Sequence, residues 1–118
     1  MGHLLTAANL HAVAADVCVA AQLSPDAMAE AAAQGFKSIV NNRPDHEHGP
    51  GQPTNAQIEA AAHAAGLVYH WLPVDGGWQS PAEIAAFAKL LQDLPRPLLA
   101  FCRSGARSAR LFMAANQD

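Results

Sequence analysis

The chain has 118 residues, 51% of them hydrophobic and only 14% charged, and its formal net charge at pH 7 is -3. That length supports one domain with a single hydrophobic core, and the mildly acidic balance argues against broad electrostatic binding to nucleic acid or to an anionic membrane surface. Three of the seven basic residues, Arg103, Arg107 and Arg110, nevertheless lie within eight positions of one another, which favours a small anionic partner.

The first half of the chain predicts two buried strands and one helix. Residues 17–20 form a short apolar run, typical of a strand buried on both faces. Ser24, with proline at the next position, predicts the N-cap of a helix that ends near Gln34. A second buried strand is expected over 38–40. The segment 41–53 contains prolines and glycines and shows no periodicity, which predicts a loop.

In the second half of the chain, predicted helices and strands continue to alternate. Thr54 and the glutamine three positions later form a capping-box pattern that begins a helix, and a buried strand is expected over 67–72. Ser80 begins a third helix with the same pattern, a strand follows over 98–101, and a last helix is expected to begin at Gly105. This alternation predicts an α/β fold with a central, mostly parallel sheet of four or five strands flanked by helices.

Export and membrane spanning are not expected. The N-terminus has no basic region followed by a long apolar stretch, and no apolar run approaches the ~20 residues needed to cross a bilayer. The two cysteines, Cys18 and Cys102, are too few for a disulfide scaffold. We therefore expect a single domain over 1–118 in the reducing cytoplasm, with Cys102 as a free thiol.

Cys102 directly follows the last predicted strand, and we predict that it is a nucleophile. This position lies at the carboxyl edge of the sheet, where open α/β folds bind ligands, and the helix that follows directs positive potential toward the sulfur. Gly105 lets the backbone form a ring of N–H donors for a tetrahedral anion. Arg107 adds a charge that can bind two oxygens, and Ser108 is expected to hydrogen-bond the departing thiolate. The alternative, a small buried hydrophobic cysteine, does not account for 102–108 as a unit.

Four further residues are candidate substrate ligands. Ser104 and Ala106 contribute to the loop of N–H donors, and the Ser104 hydroxyl is a second donor there. The Arg103 side chain is expected to point outward, where it either selects an anionic substrate or is simply solvated. Arg43 follows the second strand and either reaches the edge of the pocket or is solvated, as loop arginines usually are.

No metal or cofactor is predicted. The segment 45–48 reads Asp-His-Glu-His, and two histidines with carboxylates could bind zinc. No third histidine or cysteine lies nearby at a recognised ligand spacing, so a solvated loop is favoured.

The loop from Cys102 to Ser108 resembles the active-site loop of rhodanese-type sulfurtransferases, in which four residues separate cysteine from arginine. It also resembles the phosphate-binding loop of protein tyrosine and dual-specificity phosphatases. Those phosphatases have five intervening residues and usually a histidine before the cysteine, whereas this chain has four residues and Phe101. By spacing alone, the loop is closer to the sulfurtransferases.

Other segments resemble a different group. The stretches 17–25, 39–44 and 72–74, together with 102–108, are similar to the phosphatase-like domain of the beta-lactamase hydrolase-like family. The resemblance covers nearly the whole chain and implies a protein tyrosine/dual-specificity phosphatase-like fold. Some members are fused to a metallo-hydrolase domain that oxidises persulfides. This chain lacks that domain, so the resemblance implies a functional link to such a protein.

The phosphatase resemblance also implies an aspartic acid on a mobile loop that protonates the leaving oxygen. Asp75, followed by two glycines, is the natural candidate, and the alternative is an ordinary turn residue. Three functions stay open. The first is a phosphatase-like hydrolase that acts on a small phosphoester through a phosphocysteine. The second is a sulfurtransferase that works through a Cys102 persulfide. The third is a non-catalytic anion-binding or redox-sensing domain.

Overall fold

The structure, a computed structural model, describes residues 9–116. Five strands and four helices follow one another along this part of the chain. They are β1 (Leu10–Ala14), β2 (Val17–Ala20), α1 (Asp26–Ala33), β3 (Ser38–Asn41), α2 (Asn55–Ala64), β4 (Val68–Trp71), α3 (Pro81–Asp93), β5 (Leu98–Phe101) and α4 (Ala106–Ala115).

The strands form one sheet in the order β1-β2-β5-β3-β4. Strand β1 pairs with β2 in the antiparallel direction, and every other neighbouring pair is parallel. The predicted fold class, a mostly parallel sheet flanked by helices, is confirmed. No helix within residues 9–116 is long and apolar enough to cross a bilayer.

The three central strands bury side chains on both faces of the sheet, because consecutive residues of a strand point to opposite sides. Ile39, Leu99 and Phe101 belong to a core that includes residues of α1 and α2. Val40 and Leu98 belong to a second core, shared with α3 and α4. The domain therefore has three layers, with the sheet between two pairs of helices.

Of the four predicted helix starts, the one at Gly105 is confirmed, and the three predicted side-chain caps are confirmed at two positions and wrong at one. Thr54 and Ser80 each form a complete capping box with the residue three positions later. Ser24 is not a side-chain cap. Pro25 takes the cap position without a side-chain hydrogen bond, and the buried Ser24 hydroxyl has no partner in the part of the chain that the structure describes.

The sheet differs from the sequence expectation at its two edges. Strand β1 was not predicted, because its residues mix apolar and polar types and the Ala-Asp turn to β2 is not a usual hairpin sequence. Strand β4 was expected to be buried on both faces, but it is an edge strand with alternating exposure, and Val68 is 43% exposed.

The register brings three strand ends to one level. Ala20 of β2 and Asn41 of β3 both pair with Phe101 of β5, the residue just before Cys102. The segments that leave these three strands therefore meet at the carboxyl edge of the sheet.

Candidate active site

The cysteine loop is fastened to the end of β2. The Cys102 N–H donates to the carbonyl of Ala20 at 3.3 Å, and the Gln22 N–H donates to the carbonyl of Arg103 at 3.2 Å. Cys102 itself is 1% exposed. The backbone on both sides of the sulfur is therefore held by the sheet.

Gly105 supplies the N–H group that contacts the sulfur, with a distance of 3.1 Å from its nitrogen to Cys102 Sγ. Its φ of 93° lies in the left-handed region, and it directly precedes α4. A Cβ here would lie 3.3 Å from the carbonyl carbon of Ala20, which leaves little room for a side chain. The conformation and the close approach to β2 together require glycine, as the sequence predicted for a bent donor loop.

Arg107 lies on the first turn of α4 and is 7% exposed. Its Nη1 donates to the carbonyl of Val74 at 3.1 Å, and its Nη2 lies 3.1 Å from Glu47 Oε2. Its Nε is buried and has no hydrogen-bond partner among the described residues. The guanidinium is thus held by Val74 and Glu47 while its Nε–H is unused, as expected of a group that binds an anion.

Glu47 joins two buried arginines. Its Oε1 accepts from Arg43 Nε at 2.9 Å and from Arg107 Nη2 at 3.2 Å. Burial alone raises the pKa of the Glu47 carboxyl, but hydrogen bonds from both arginines and their charges outweigh burial and lower the pKa. The solvated loop expected over 45–48 agrees with the exposure of positions 46 to 48, but the ion pairs of the Glu47 carboxylate were not expected.

Arg43 is buried, with an exposure of 5%, so the solvated alternative for this residue is wrong. Besides Glu47, it donates through Nη1 to Gln22 Oε1 at 2.8 Å. The loop that carries Arg43 is pinned at its far end, because Gln52 binds the His48 N–H and the carbonyl of Pro44.

Ser108 is fully buried, and its hydroxyl donates to Asn42 Oδ1 at 2.9 Å. The hydroxyl is therefore bound to Asn42 in this structure, and the predicted hydrogen bond to the sulfur stays a prediction. Asn42 also donates to the carbonyl of Leu72 at 3.1 Å and to that of Phe101 through its N–H at 2.8 Å. It thereby connects α4 with the ends of three strands.

Asp75 is exposed and forms a local turn. Its Oδ1 accepts from the Gly77 N–H at 2.6 Å, and its carbonyl accepts from Gln79 Nε2. These contacts match the turn alternative, and the role of general acid stays a prediction. Gly76 leaves room for the Arg107 side chain, because a Cβ at position 76 would lie 2.8 Å from Arg107 Nη2. The predicted mobility of this loop stays a prediction.

The remaining loop residues face outward. Ser104 and Ala106 are exposed, and the Ala106 N–H donates to the Ser104 hydroxyl at 3.3 Å. The Arg103 side chain is exposed, as expected, and lines a cavity of about 330 Å³ together with Arg43. A larger apolar cavity of about 440 Å³ between β4 and α3 contains none of the predicted site residues.

The two cysteines do not form a disulfide. Cys18 pairs with Leu99, three residues before Cys102, so their Cα atoms are separated by about 10 Å along the strands, beyond the ~7 Å reach of a disulfide. Burial raises the pKa of the Cys18 thiol. Cys18 could therefore act as a resolving thiol, which would form a disulfide with Cys102, only if the backbone moved.

Three residues of this site were not predicted: Gln22, Asn42 and Glu47. Gln22 and Asn42 follow β2 and β3 at the same edge, and the rule that selected Cys102 could have selected both. Glu47 carries no such signal, because its place depends on the path of the loop. Within residues 9–116, no group of three or more His, Cys, Asp or Glu side chains could hold a metal ion.

Comparison with known proteins places the chain in a family. Residues 9–117 match the model of the beta-lactamase hydrolase-like protein, phosphatase-like domain. A beta-lactamase hydrolase-like protein of Agrobacterium fabrum is 46% identical over 81 residues, which cover 69% of this chain and 19% of that protein. The chain thus spans about a fifth of the length of this curated relative.

Two solved structures are similar. A candidate phosphatase from Neisseria meningitidis superimposes with a TM-score of 0.82 and 30% identity, over 91% of this chain and 75% of that one. The catalytic core of a PP-IP phosphatase from S. cerevisiae shares the fold, with a TM-score of 0.65 and 12% identity, over 86% and 60% of the two chains. The protein belongs to the phosphatase-like domain family of the beta-lactamase hydrolase-like proteins.

Proposed function

We propose that this phosphatase-like domain hydrolyses a small anionic phosphoester, with Cys102 as the nucleophile. The observation that carries the proposal is the buried Arg107, whose Nε has no partner within the described residues, next to a loop in which the Gly105 N–H contacts the sulfur. Unsatisfied buried donors are costly unless a ligand uses them, and a phosphoryl group offers the acceptors.

In the proposed reaction, the Cys102 thiolate attacks phosphorus and the bond to the leaving oxygen breaks. Arg107 and the Gly105 N–H stabilise the negative charge of the transferring group. Asp75 donates a proton to the leaving oxygen, which departs as an alcohol. Water then attacks the phosphocysteine, Asp75 takes up the proton that the water loses, and the S–P bond breaks to release inorganic phosphate and the Cys102 thiolate.

Asp75 has to change its contacts for this role. Its carboxylate accepts from the Gly77 N–H and is exposed, so it would have to turn toward the bound ester. Catalytic hydrogen bonds often form only in the complex with substrate, so this geometry is compatible with the proposal.

Sulfur transfer is the second candidate, and the position of Asp75 favours it. A sulfurtransferase carries a sulfane sulfur on Cys102 and needs no acid for a leaving oxygen. The spacing of four residues between Cys102 and Arg107 also leaves one N–H donor fewer than the phosphatase spacing. A non-catalytic anion-binding or redox-sensing domain is the third.

One pair of measurements distinguishes these functions. We expect the wild type to release phosphate from an aryl phosphate, Cys102→Ser to lose this activity, and Asp75→Asn to weaken it. Cys18→Ala is the matched control and should keep the activity, since Cys18 lies about 10 Å from Cys102 by the strand register.

Intact mass after incubation with thiosulfate or polysulfide tests the alternative. If the protein gains the mass of one sulfur atom, this gain is absent in Cys102→Ser and no phosphate is released, the function is sulfur transfer and the proposed hydrolysis is wrong. Binding of anions without either reaction would favour the non-catalytic domain.

The cellular setting is a proposal as well. We place the protein in the cytoplasm, without a nucleic acid or membrane partner, and link it functionally to a persulfide-oxidising metallo-hydrolase. To test the link, persulfides are measured in cells that lack this protein and in cells that carry Cys102→Ser, each against wild-type cells. Accumulation in both strains supports the link, and wild-type levels in both would contradict it.

A further inference from the structure

We propose that the cavity beside the cysteine loop binds a second anionic group of the substrate, a carboxylate or a second phosphate. This inference rests on the proposed function, because it assumes that the reacting group binds at Cys102 and Arg107. It adds that the natural substrate carries two oxyanions on one small molecule.

The lining of the cavity has the chemistry of an anion site. Its volume is about 330 Å³, and neither aspartate nor glutamate lines it. Five polar side chains do so: Gln22, Arg43, His48, Gln52 and Arg103. Two arginines therefore line a concave space without an aspartate or glutamate on its wall, and a bound oxyanion would offer acceptors to their guanidinium groups.

The charge balance around the cavity also favours an anion. Glu47 contacts both Arg43 and Arg107, so a single carboxylate serves two buried guanidinium groups. One of those positive charges stays uncompensated, and Arg103 adds another, since no hydrogen bond or ion pair within residues 9–116 uses its side chain. Such an excess of positive charge in a partly enclosed site raises its affinity for anions.

Arg43 is positioned before any ligand arrives. Its Nε binds Glu47 and its Nη1 binds Gln22, and no hydrogen bond within the described part of the chain uses its Nη2. A guanidinium held by two partners loses little side-chain entropy when a third forms.

The cavity lies close enough to the cysteine loop for one molecule to reach both. Arg103 is the next residue after Cys102. Arg43 Nε and Arg107 Nη2 contact the same oxygen of Glu47, so these nitrogens lie no more than about 6 Å apart. A ligand of the size of a substituted benzene ring can place one anion on each side.

The test uses phosphonates, which bind without being hydrolysed. Binding of phenylphosphonate, the three carboxyphenylphosphonate isomers and the corresponding phenylene bisphosphonates is measured by calorimetry with the wild-type protein. We expect at least one isomer with two anionic groups to bind about tenfold tighter than phenylphosphonate, because charge-assisted hydrogen bonds are strong. A larger gain from the carboxylate indicates a phosphorylated acid as substrate, and a larger gain from the second phosphonate indicates a bisphosphate.

Variants assign the gain to the cavity. Arg103→Gln should remove most of the preference for the second anion, measured as a ratio of affinities within each variant. His48→Ala should reduce it less. Lys89→Ala, which removes an exposed positive charge on α3 whose ion-pair partner is Asp93, is the control and should leave the ratio unchanged.

The result separates this inference from the proposed function. Equal affinities of the wild type for phosphonates with one and with two anionic groups would overturn the second site, even if phenyl phosphate is hydrolysed. A preference that survives Arg103→Gln would overturn it as well. A clear preference without hydrolysis of any phosphoester would uphold the second anion site and refute the phosphatase.

Discussion

Two loops at the carboxyl edge of the sheet differ in how they contribute to the site. The loop 42–53 looks like a solvated connection in sequence, yet it delivers the buried Arg43 and the bridging carboxylate of Glu47. The loop 74–79 contains the expected general acid, yet Asp75 is exposed and bound to its own turn. The comparison shows that the contribution of a loop to the active site depends on which of its residues the backbone brings next to the site. Residue types alone do not predict this.

The largest expected difference between the loops is in stability. Glu47→Ala removes the carboxylate between two buried guanidinium groups, and we expect the free energy of unfolding to fall by about 2 kcal/mol, since unpaired buried charges are costly. Asp75→Ala should cost less than about 1 kcal/mol, because it removes only an exposed turn contact. Urea denaturation of the two variants measures both values. Equal losses would show that Glu47 contributes no more than a surface residue.

The second test uses the paired glycines of 74–79. Gly76→Ala places a methyl group 2.8 Å from Arg107 Nη2, so the guanidinium must move and we expect kcat/KM to fall about tenfold or more. Gly77→Ala is a comparison and not a neutral control, because its Cβ would lie 3.3 Å from Asp75 Oδ1, the proposed proton donor, and would not meet Arg107. Activity of Gly76→Ala equal to that of the wild type would mean that the position of Arg107 is not needed.

The third prediction concerns acid. The pKa of Glu47 is lowered in the folded protein, so its contribution to stability is complete above its ordinary pKa of 4.5 and is lost as the pH falls through the folded value. The difference in stability between the wild type and Glu47→Gln should therefore be largest near neutral pH and narrow in acid. Thermal unfolding across that range measures the difference. A constant difference would contradict the bridging role.

The smallest effect is expected for Asp75→Asn. The asparagine oxygen can still accept from the Gly77 N–H, so the free energy of unfolding should change by less than about 0.5 kcal/mol. Thermal unfolding beside the wild type checks this. A larger loss would mean that the charge of Asp75 stabilises 74–79, which would weaken any interpretation of its kinetics.

The sequence predicted the central part of the fold well because the signals there are local. The strands β2 and β5 are continuous apolar runs and β3 has Ile39 and Val40 at its centre. Thr54 and Ser80 carry complete capping patterns. The edges were harder, since β1 has neither a clear alternation nor a usual turn sequence. Its existence depends on pairing with β2, which no local pattern shows.

The site was predictable only in part for a similar reason. Cys102, Gly105 and Arg107 lie within six residues, and one loop-to-helix turn brings them together. The contact between Glu47 and Arg107 joins residues 60 positions apart, and it depends on how 42–53 folds back across the sheet edge. No periodicity or motif spacing in a single sequence predicts such a long-range contact.

The common level of three strand ends has a consequence for protein engineering. Ala20, Asn41 and Phe101 finish their strands side by side, so each outgoing segment starts from the same fixed platform below the pocket. The segment 44–52 contributes no residue to either apolar core, so it can be exchanged without repacking them. A library that varies only 44–52 should therefore yield folded proteins with altered ligand preference, provided that Glu47 and Gln52 are retained.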